Sequence, residues 1–471
     1  MMQGPPMGQG MRGGPGLRER PGEPGEARGF GFRAIESLTI PAYRLYFLFV
    51  LGQMGAMNMQ MMARSWFMWE LEENIWLLGM VAGANAIPML ALSLFGGVLA
   101  DRLPKKLVLV YGQAASTIIT LGVAVSITIG SITWVHLIVA SLLQGVVMAF
   151  MMPARQAIIP ELVGTRMITN AVALNGAAMN LLRLLGPGLA GFLIAFWGIE
   201  AVYYMMAVLY GSGIFVLMRL PLTGSVALRG QGILGQVLEG LSYIRQNAAI
   251  RMLLIFTLFS FVLSMPYIFL LPAFTDEILT VDPSRLNFNL SLLGGQWHMD
   301  LTAIPIIGPL IQKLEDSAAR MGFLISVSGI GALVGSVFVA TMRDKRRGFY
   351  LLVSMLVMSV TLIIFSFTDS YLLALLVFIP LGLAQAGRMA LSNTLAQVYT
   401  EDEYRGRVMS IYMLNWGMTN LGVLIVAWIG SVIDGGYGFS SAQLVVGGSA
   451  ILLLLATVYF TVFVKRIRQM D

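Results

Sequence analysis

The sequence predicts an all-α membrane protein with twelve transmembrane helices in two pseudo-symmetric six-helix bundles. Three observations carry that expectation: the apolar content, the spacing of the apolar runs and the placement of the basic residues. Of 471 residues, 57% are hydrophobic and 11% charged. A soluble domain carries about 25% charged residues, so this chain has too few to cover a water-facing surface. A helix needs about 20 apolar residues to cross the hydrocarbon with its backbone bonded internally. Runs of that kind fall at 42–63, 76–100, 107–129, 132–152, 168–196, 200–219, 252–274, 319–341, 349–367, 371–392, 408–432 and 441–464.

The basic residues test this count. A cytoplasmic start puts the even-numbered loops and both tails inside, and most of the 30 Lys and Arg fall there. Only Arg64, Arg285, Lys313 and Arg320 fall in odd-numbered loops, with Arg183 and Arg388 inside spans. The 24 acids divide evenly between the sides. The bias is therefore in Lys and Arg alone, as the positive-inside rule requires. One span more or fewer would invert every later loop and erase the pattern. The expected location is the cytoplasmic membrane, with many passes and both termini inside. The net charge of +6 then needs no nucleic-acid partner. With no Cys and only His136 and His298, disulfides, thiolate sites and a histidine metal cluster are excluded, and no cofactor is expected.

Along the chain, residues 1–35 are rich in Gly, Pro, Met and Arg, a composition that cannot bury a core. They lack the apolar stretch of a signal peptide and read as a disordered cytoplasmic tail. Residues 36–219 form the first bundle and 251–464 the second, with a cytoplasmic tail at 465–471. In the linker 220–250, Ile233, Val237, Leu241 and Ile244 recur at helical spacing, so an amphipathic helix lies on the cytoplasmic face. The loop at about 275–318 is an insertion carrying Trp297, His298, Asp300 and an apolar stretch, Leu301 to Ile311. That stretch is too short to span and is expected as an interfacial helix or a cap over the outer mouth.

The chain repeats itself. Leu174-Asn175-Gly-Ala-Ala-Met-Asn180-Leu181 aligns with Leu414-Asn415-Trp-Gly-Met-Thr-Asn420-Leu421, each opening the fifth span of its half. Two halves related by an axis along the membrane normal place a ligand site between them near mid-bilayer. Asn175, Asn180, Asn415 and Asn420 then either bond across helices or face a wet cavity. Gln53 and Gln60, seven residues apart on one face of span one, are cavity candidates, as are Gln144 and Gln385. Arg183 lies near the middle of span five, where an Arg costs roughly 2.5–3.5 kcal/mol on insertion scales. Arg388 lies a turn or two inside the cytoplasmic end of span ten, within reach of snorkelling. Both read either as helix-bonded structural arginines or as a positive cavity for anionic or oxygen-rich ligands.

Gly97-Val-Leu-Ala-Asp101-Arg102-Leu-Pro104-Lys105-Lys106 joins spans two and three. It resembles the signature of the major facilitator superfamily, G-x-L-A-D-R-x-G-R-K, with Pro104 in place of a Gly. Further segments resemble the enterobactin-exporter-like branch of bacterial efflux carriers. They are Met152-Pro153-Ala154-Arg155-Gln156 after span four, Gly186-Pro187-Gly188-Leu-Ala-Gly191 in span five, and Arg405-Gly406-Arg407 before span eleven. The likeness covers roughly 36–464 and implies the major facilitator fold, alternating access and export of a small amphipathic molecule such as a siderophore, drug or lipophilic metabolite. It implies gating roles for Gly97, Asp101, Arg102, Lys105, Lys106, Arg155, Arg405 and Arg407, and an antiporter-type bend at Gly186, Pro187 and Gly191. Relatives of this kind work as monomers in the bilayer, many with protons as the coupling ion.

Two departures bear on that coupling. Ser141 stands where proton-driven relatives carry an Arg three residues before Gln144-Gly145, and none of the 24 acids falls at mid-bilayer. An importer or facilitator of an organic anion is therefore the alternative, or a non-transporting sensor or lipid scramblase on the same fold. An ATP-driven pump is disfavoured because no Gly-x-x-x-x-Gly-Lys-Ser/Thr loop is present. An enzyme is disfavoured because no paired acids or metal ligands lie at depth. Replacement of the signature carboxylate, Asp101→Asn, is expected to cripple turnover while leaving expression and ligand binding intact. Initial transport rates in vesicles, set against binding to purified protein, check this.

Overall fold

The computed structural model describes residues 36–221, 233–279, 288–292, 295–299, 313–342, 346–401, 403–433, 439–468 and 470. A one-turn 3-10 helix, Glu36–Thr39, leads into α1, Pro41–Glu72, which opens on a proline at its first turn and ends where Glu73 takes the left-handed conformation (φ 44°). Then follow α2, Ile75–Arg102, and α3, Lys105–Thr128. A continuous helical stretch, Trp134–Trp197, is broken at Gly164, where φ is 65° and ψ 170°. Only glycine takes such a backbone cheaply. The break yields α4, Trp134–Gly164, and α5, Asn170–Trp197, with α6, Ile199–Met218, closing the first half.

The second half opens with α7, Ile233–Gln246, the amphipathic linker helix. Asn247 caps the next helix by accepting from the backbone of Ala249 and Ile250. That helix, α8, spans Ala248–Ile278 with a bend before Pro266 and a π turn at its end. It is followed by α9, Ser317–Thr341; α10, Arg347–Ser366; α11, Tyr371–Val398; α12, Arg405–Val432; and α13, Ser441–Phe463. Among the described residues, ten of these segments are long and apolar enough to cross a membrane. The other two long helices are α1, which carries Gln53, Asn58, Gln60 and Arg64, and α12, whose apolar part is Gly417–Val432. Together they make twelve, six on each side of the linker.

The α8–α9 connection departs from an all-α chain. Phe288–Leu292 pairs antiparallel with Gly295–Met299, setting Leu290 opposite Trp297 and Asn289 opposite His298. The sequence Phe-Asn-Leu-Ser-Leu alternates with a period of two and is followed by Gly294-Gly295, which is the strand and turn pattern. The expectation of an interfacial helix or cap concerned Leu301 to Ile311, and this hairpin precedes that stretch. Leu301 to Ile311, the side chains of Trp297 and His298, and Asp300 lie outside the described residues.

Within the first half, α1 packs on α4–α5 and α6, and α3 on α6. Within the second, α9 packs on α11, and α10 on α11 and α13. The halves meet along two symmetry-related seams, α2 with α12 and α5 with α9. Small residues set both. Gly79 faces Ala427, Gly83 faces Leu424, and Gly417 faces Leu90. On the other seam a Cβ at Gly322 would lie 2.6 Å from the Pro187 carbonyl oxygen and 3.0 Å from the Gly191 Cα. A Cβ at Gly329 would lie 2.7 Å from the Leu184 Cα. Close backbone approach of this kind replaces the hydrophobic drive that lipid removes. These contacts run from the end bearing the α1–α2 and α5–α6 turns, the odd-loop end, to mid-helix. A hydrogen bond across the α5–α9 seam joins Asn180 Nδ2 to Ser336 Oγ at 3.4 Å. The variant Gly322→Val is expected to lose about 1–3 kcal/mol by overpacking, seen as a lower melting temperature of the purified protein, whereas Gly122→Ala, where a Cβ meets no atom within 4 Å, does not lower it, since helix propensity favours Ala.

Candidate functional site

Two arginines stand at the centre of the molecule, one from each half. The helix α11 continues to Val398, so Arg388 lies about three turns from its end rather than one or two. It does not snorkel: it is 0% exposed. Its Nη1 donates to Ser260 Oγ at 3.2 Å, and its guanidinium carbon sits 3.9 Å from the centroid of the Phe261 ring. Its Nε and Nη2 are buried without an acceptor. Arg183, on α5, is partly accessible. The two charges act on each other, and both act on the hydroxyl of Tyr267, on α8. Among the described residues no carboxylate lies within ion-pair distance of either.

The amides divide. Asn180 reaches across the seam to Ser336, whereas Asn175 accepts from the Tyr43 hydroxyl inside the first half. In the second repeat Asn415 Nδ2 is buried without an acceptor, and Asn420 is half-buried on the same helix. Gln385 donates to the sulfur of Met265, near the bend of α8, while its Oε1 has no donor. Gln53, Gln60 and Gln144 bond inside the first bundle, Gln53 to the Met151 sulfur, Gln144 to Ser116 Oγ, and Gln60 as acceptor from the Tyr210 hydroxyl.

The gating candidates fare unevenly. The helix α2 carries the signature to Arg102, but the side chains of Asp101 and Arg102, and the surroundings of Gly97, lie outside the described residues. Lys105 pairs with Glu161, and Lys106 donates to the carbonyls of Met218 and Leu220, all within the first half. Arg155 rests against the sulfurs of Met54 and Met152, and its carbonyl accepts from the Tyr46 hydroxyl. Arg407 pairs with Glu239 of the linker helix at 2.9 Å, beside a stacked Tyr243–Tyr404 pair with centroids 4.3 Å apart. Arg405 donates to the Gln397 carbonyl. Gly186 packs on Asn58 and Gly55 of α1, and Pro187 and Gly191 belong to the α5–α9 seam. His136 is at the odd-loop end, where it closes a capping box with Thr133.

The profile of the major facilitator superfamily matches residues 286–469, and that of the transmembrane secretion effectors matches residues 36–296, more than half of the chain. The chain belongs to the major facilitator superfamily. It is similar to the enterobactin exporter of Salmonella typhi, 26% identical over 431 residues that cover 88% of this chain and 93% of that protein. It is also similar to the multidrug efflux pump Tap of Mycolicibacterium fortuitum, 23% identical over 402 residues, covering 83% and 88%. Among solved structures, a D-xylose–proton symporter superposes with a TM-score of 0.67 at 12% identity, covering 91% of this chain and 99% of that one. The fold is therefore that of a major facilitator transporter, and its branch is efflux-like. Membership brings a lipid bilayer and a small-molecule substrate.

Sequence reasoning missed a second feature of this facilitator fold. At the odd-loop end a cavity of about 480 Å³ is lined by Glu70, Glu200, Asp276, Glu315 and Asp316, with Trp66 and Arg320. Both halves contribute to it. Trp66 Nε1 donates to Ser317 Oγ at 3.2 Å and Trp69 Nε1 to Asp276 Oδ2 at 3.0 Å, closing the mouth from α1 to the second half. Arg320 does not pair with these acids; its guanidinium is held by the carbonyls of Thr275, Leu314 and Glu315. The only sequence signal was that each acid sits at a helix end. With 32 residues at about 1.5 Å each, α1 outruns the hydrocarbon, so Glu70 projects beyond it. Burial, then the charges of Asp316, Asp276 and Glu200, push its carboxyl from the ordinary 4.5 up to about 7. A raised acid favours the closed mouth only while the proton is on. The closed packing is expected to be most stable below pH 4.5, to weaken as pH rises to about 7, and to stay level above it. Melting temperatures of wild type and Glu70→Gln across that range check this, since the variant flattens the fall.

Proposed function

We propose that this chain is a secondary active transporter that exports a small amphipathic molecule, a siderophore, drug or lipophilic metabolite, by alternating access. The observation that carries the reading is the pair of symmetry-related seams, α2–α12 and α5–α9, packed at the odd-loop end. Two such seams on one end make a hinge about which the halves rock. The Lys and Arg bias puts the even-loop end in the cytoplasm, so the present state faces inward and is closed outside. A substrate would enter from the cytoplasm and leave once the seams part. The export direction draws on the enterobactin exporter and the multidrug pump. Protons are the proposed coupling ion, with the signature around Asp101 as inner gate and a monomer as the working unit.

The reading has a direct test. The chain lacks cysteine, so an engineered pair reports cleanly. With Gly83→Cys and Leu424→Cys together, whose Cβ positions lie 3.3 Å apart, near the spacing of a disulfide, mild oxidation should form a disulfide across the seam and abolish transport in proteoliposomes, and reduction should restore it. Each single variant should transport after oxidation. Full transport by the cross-linked protein would end the alternating-access reading. In the same vesicles, proton release on substrate addition checks antiport.

A further inference from the structure

Arg388 is an uncommon object. It is fully buried, yet two of its three guanidinium nitrogens, Nε and Nη2, meet no acceptor, and the third meets only Ser260 Oγ. Phe261 covers one face of the guanidinium, so its N–H groups are presented edgewise. Arg183 approaches from the opposite half, close enough for the charges to repel, with the Tyr267 hydroxyl near both. A guanidinium in low dielectric ordinarily draws a carboxylate or carbonyls to itself. Arg320 of this same chain does so, taking three carbonyls. Arg388 has taken none.

We propose that Arg183 and Arg388 form one anion site, shared by the two halves, that binds an oxyanion, in particular the carboxylate of an amphipathic substrate. The unfilled Nε and Nη2 match the two oxygens of a carboxylate. Arg183 supplies the second charge, and the Tyr267 hydroxyl is a further donor. The site also links binding to movement. Empty, it holds two like charges that push the halves apart at their centre. Filled, it turns one repulsion into two attractions, so an anion favours the states in which both arginines reach it. Calling the occupant a substrate rests on the transport reading above; the anion site itself does not.

The test uses purified full-length protein in phosphatidylcholine nanodiscs, titrated with naphthalene-2-carboxylate and with its neutral isostere naphthalene-2-carboxamide. Wild type should bind the carboxylate about tenfold more tightly than the amide, the size of one charge-assisted bond. Arg183→Gln and Arg388→Gln should each bring that ratio close to one. Arg183→Lys should keep most of it, because the charge remains. Since Arg388→Gln can fail to fold, Arg183→Gln, at the accessible residue, decides the matter alone when monodisperse. A wild type that binds both probes alike, or neither, overturns the site, as does a ratio that survives Arg183→Gln. Repeating the titration in discs containing phosphatidylglycerol separates the two sources of an oxyanion. Unchanged carboxylate affinity supports a solute, and a matching loss gives the site to a lipid headgroup and overturns the substrate assignment. A charge preference in a protein that moves neither probe across vesicles keeps the site and ends the export reading. Transport of both probes without preference does the reverse.

Discussion

A backbone amide in hydrocarbon has no water to bond, so each pass through the bilayer must be a helix that satisfies itself. From that follows the rest of this molecule. Helices in lipid gain little by burying apolar surface against one another, and they associate where their backbones come close. The glycines at 79, 83, 322 and 329 are where that happens between the halves. The same constraint makes every polar side chain at depth conspicuous. It must find a partner inside the protein, as Gln144 finds Ser116, or be left wanting one, as Arg388 is.

The two seams are the contacts between the halves on which the proposed rocking would turn. Each is lined by small residues, and the two reach as far as Leu90 and Gly417 on one side and Asn180 and Ser336 on the other. Within each half, by contrast, helices pack along their lengths around clusters such as Tyr43, Tyr46 and Phe49 in the first and Phe256, Met355 and Leu395 in the second. Halves joined through small-residue contacts are the kind of element that the proposed rocking requires. The linker helix reinforces the division, because its Glu239 and Tyr243 clasp the start of α12 rather than any helix of the first half.

Much of this was legible in the sequence, for a physical reason. Hydrocarbon thickness sets span length, so the long apolar helices could be read from residue types alone. Arg183 and Arg388 were legible too, because a charge among apolar residues has few explanations. What could not be read was partnership. Gln53 and Gln60 share a face of α1, yet that face meets Met151 and Tyr210 inside the first bundle. The acidic mouth joins Glu70 to Asp276 and Asp316, more than 200 positions away in the chain, and no local pattern announces it. The hairpin at Phe288 was legible and was missed, because period-two alternation drew no notice in a chain dominated by helical runs.

The two charged regions have opposite sign, one at the centre and one at the odd-loop mouth. The centre carries two guanidinium groups without counter-charge, and the odd-loop mouth carries five carboxylates around one arginine already held by carbonyls. An anion at the centre that moved toward the mouth would pass from an attractive to a repulsive field. A static barrier of that kind slows passage equally in both directions and sets no direction by itself. A proton changes this. Glu70, pushed up to about 7, loses its charge as pH falls, and the mouth becomes less repulsive to anions and tighter across its seam at once. Binding free energies are reciprocal, so whatever a proton on Glu70 does for an anion near the mouth, the anion does for the proton. A chain with no acid at mid-bilayer thus still has a titrating group at the mouth, placed at the end of the helix rather than in its centre.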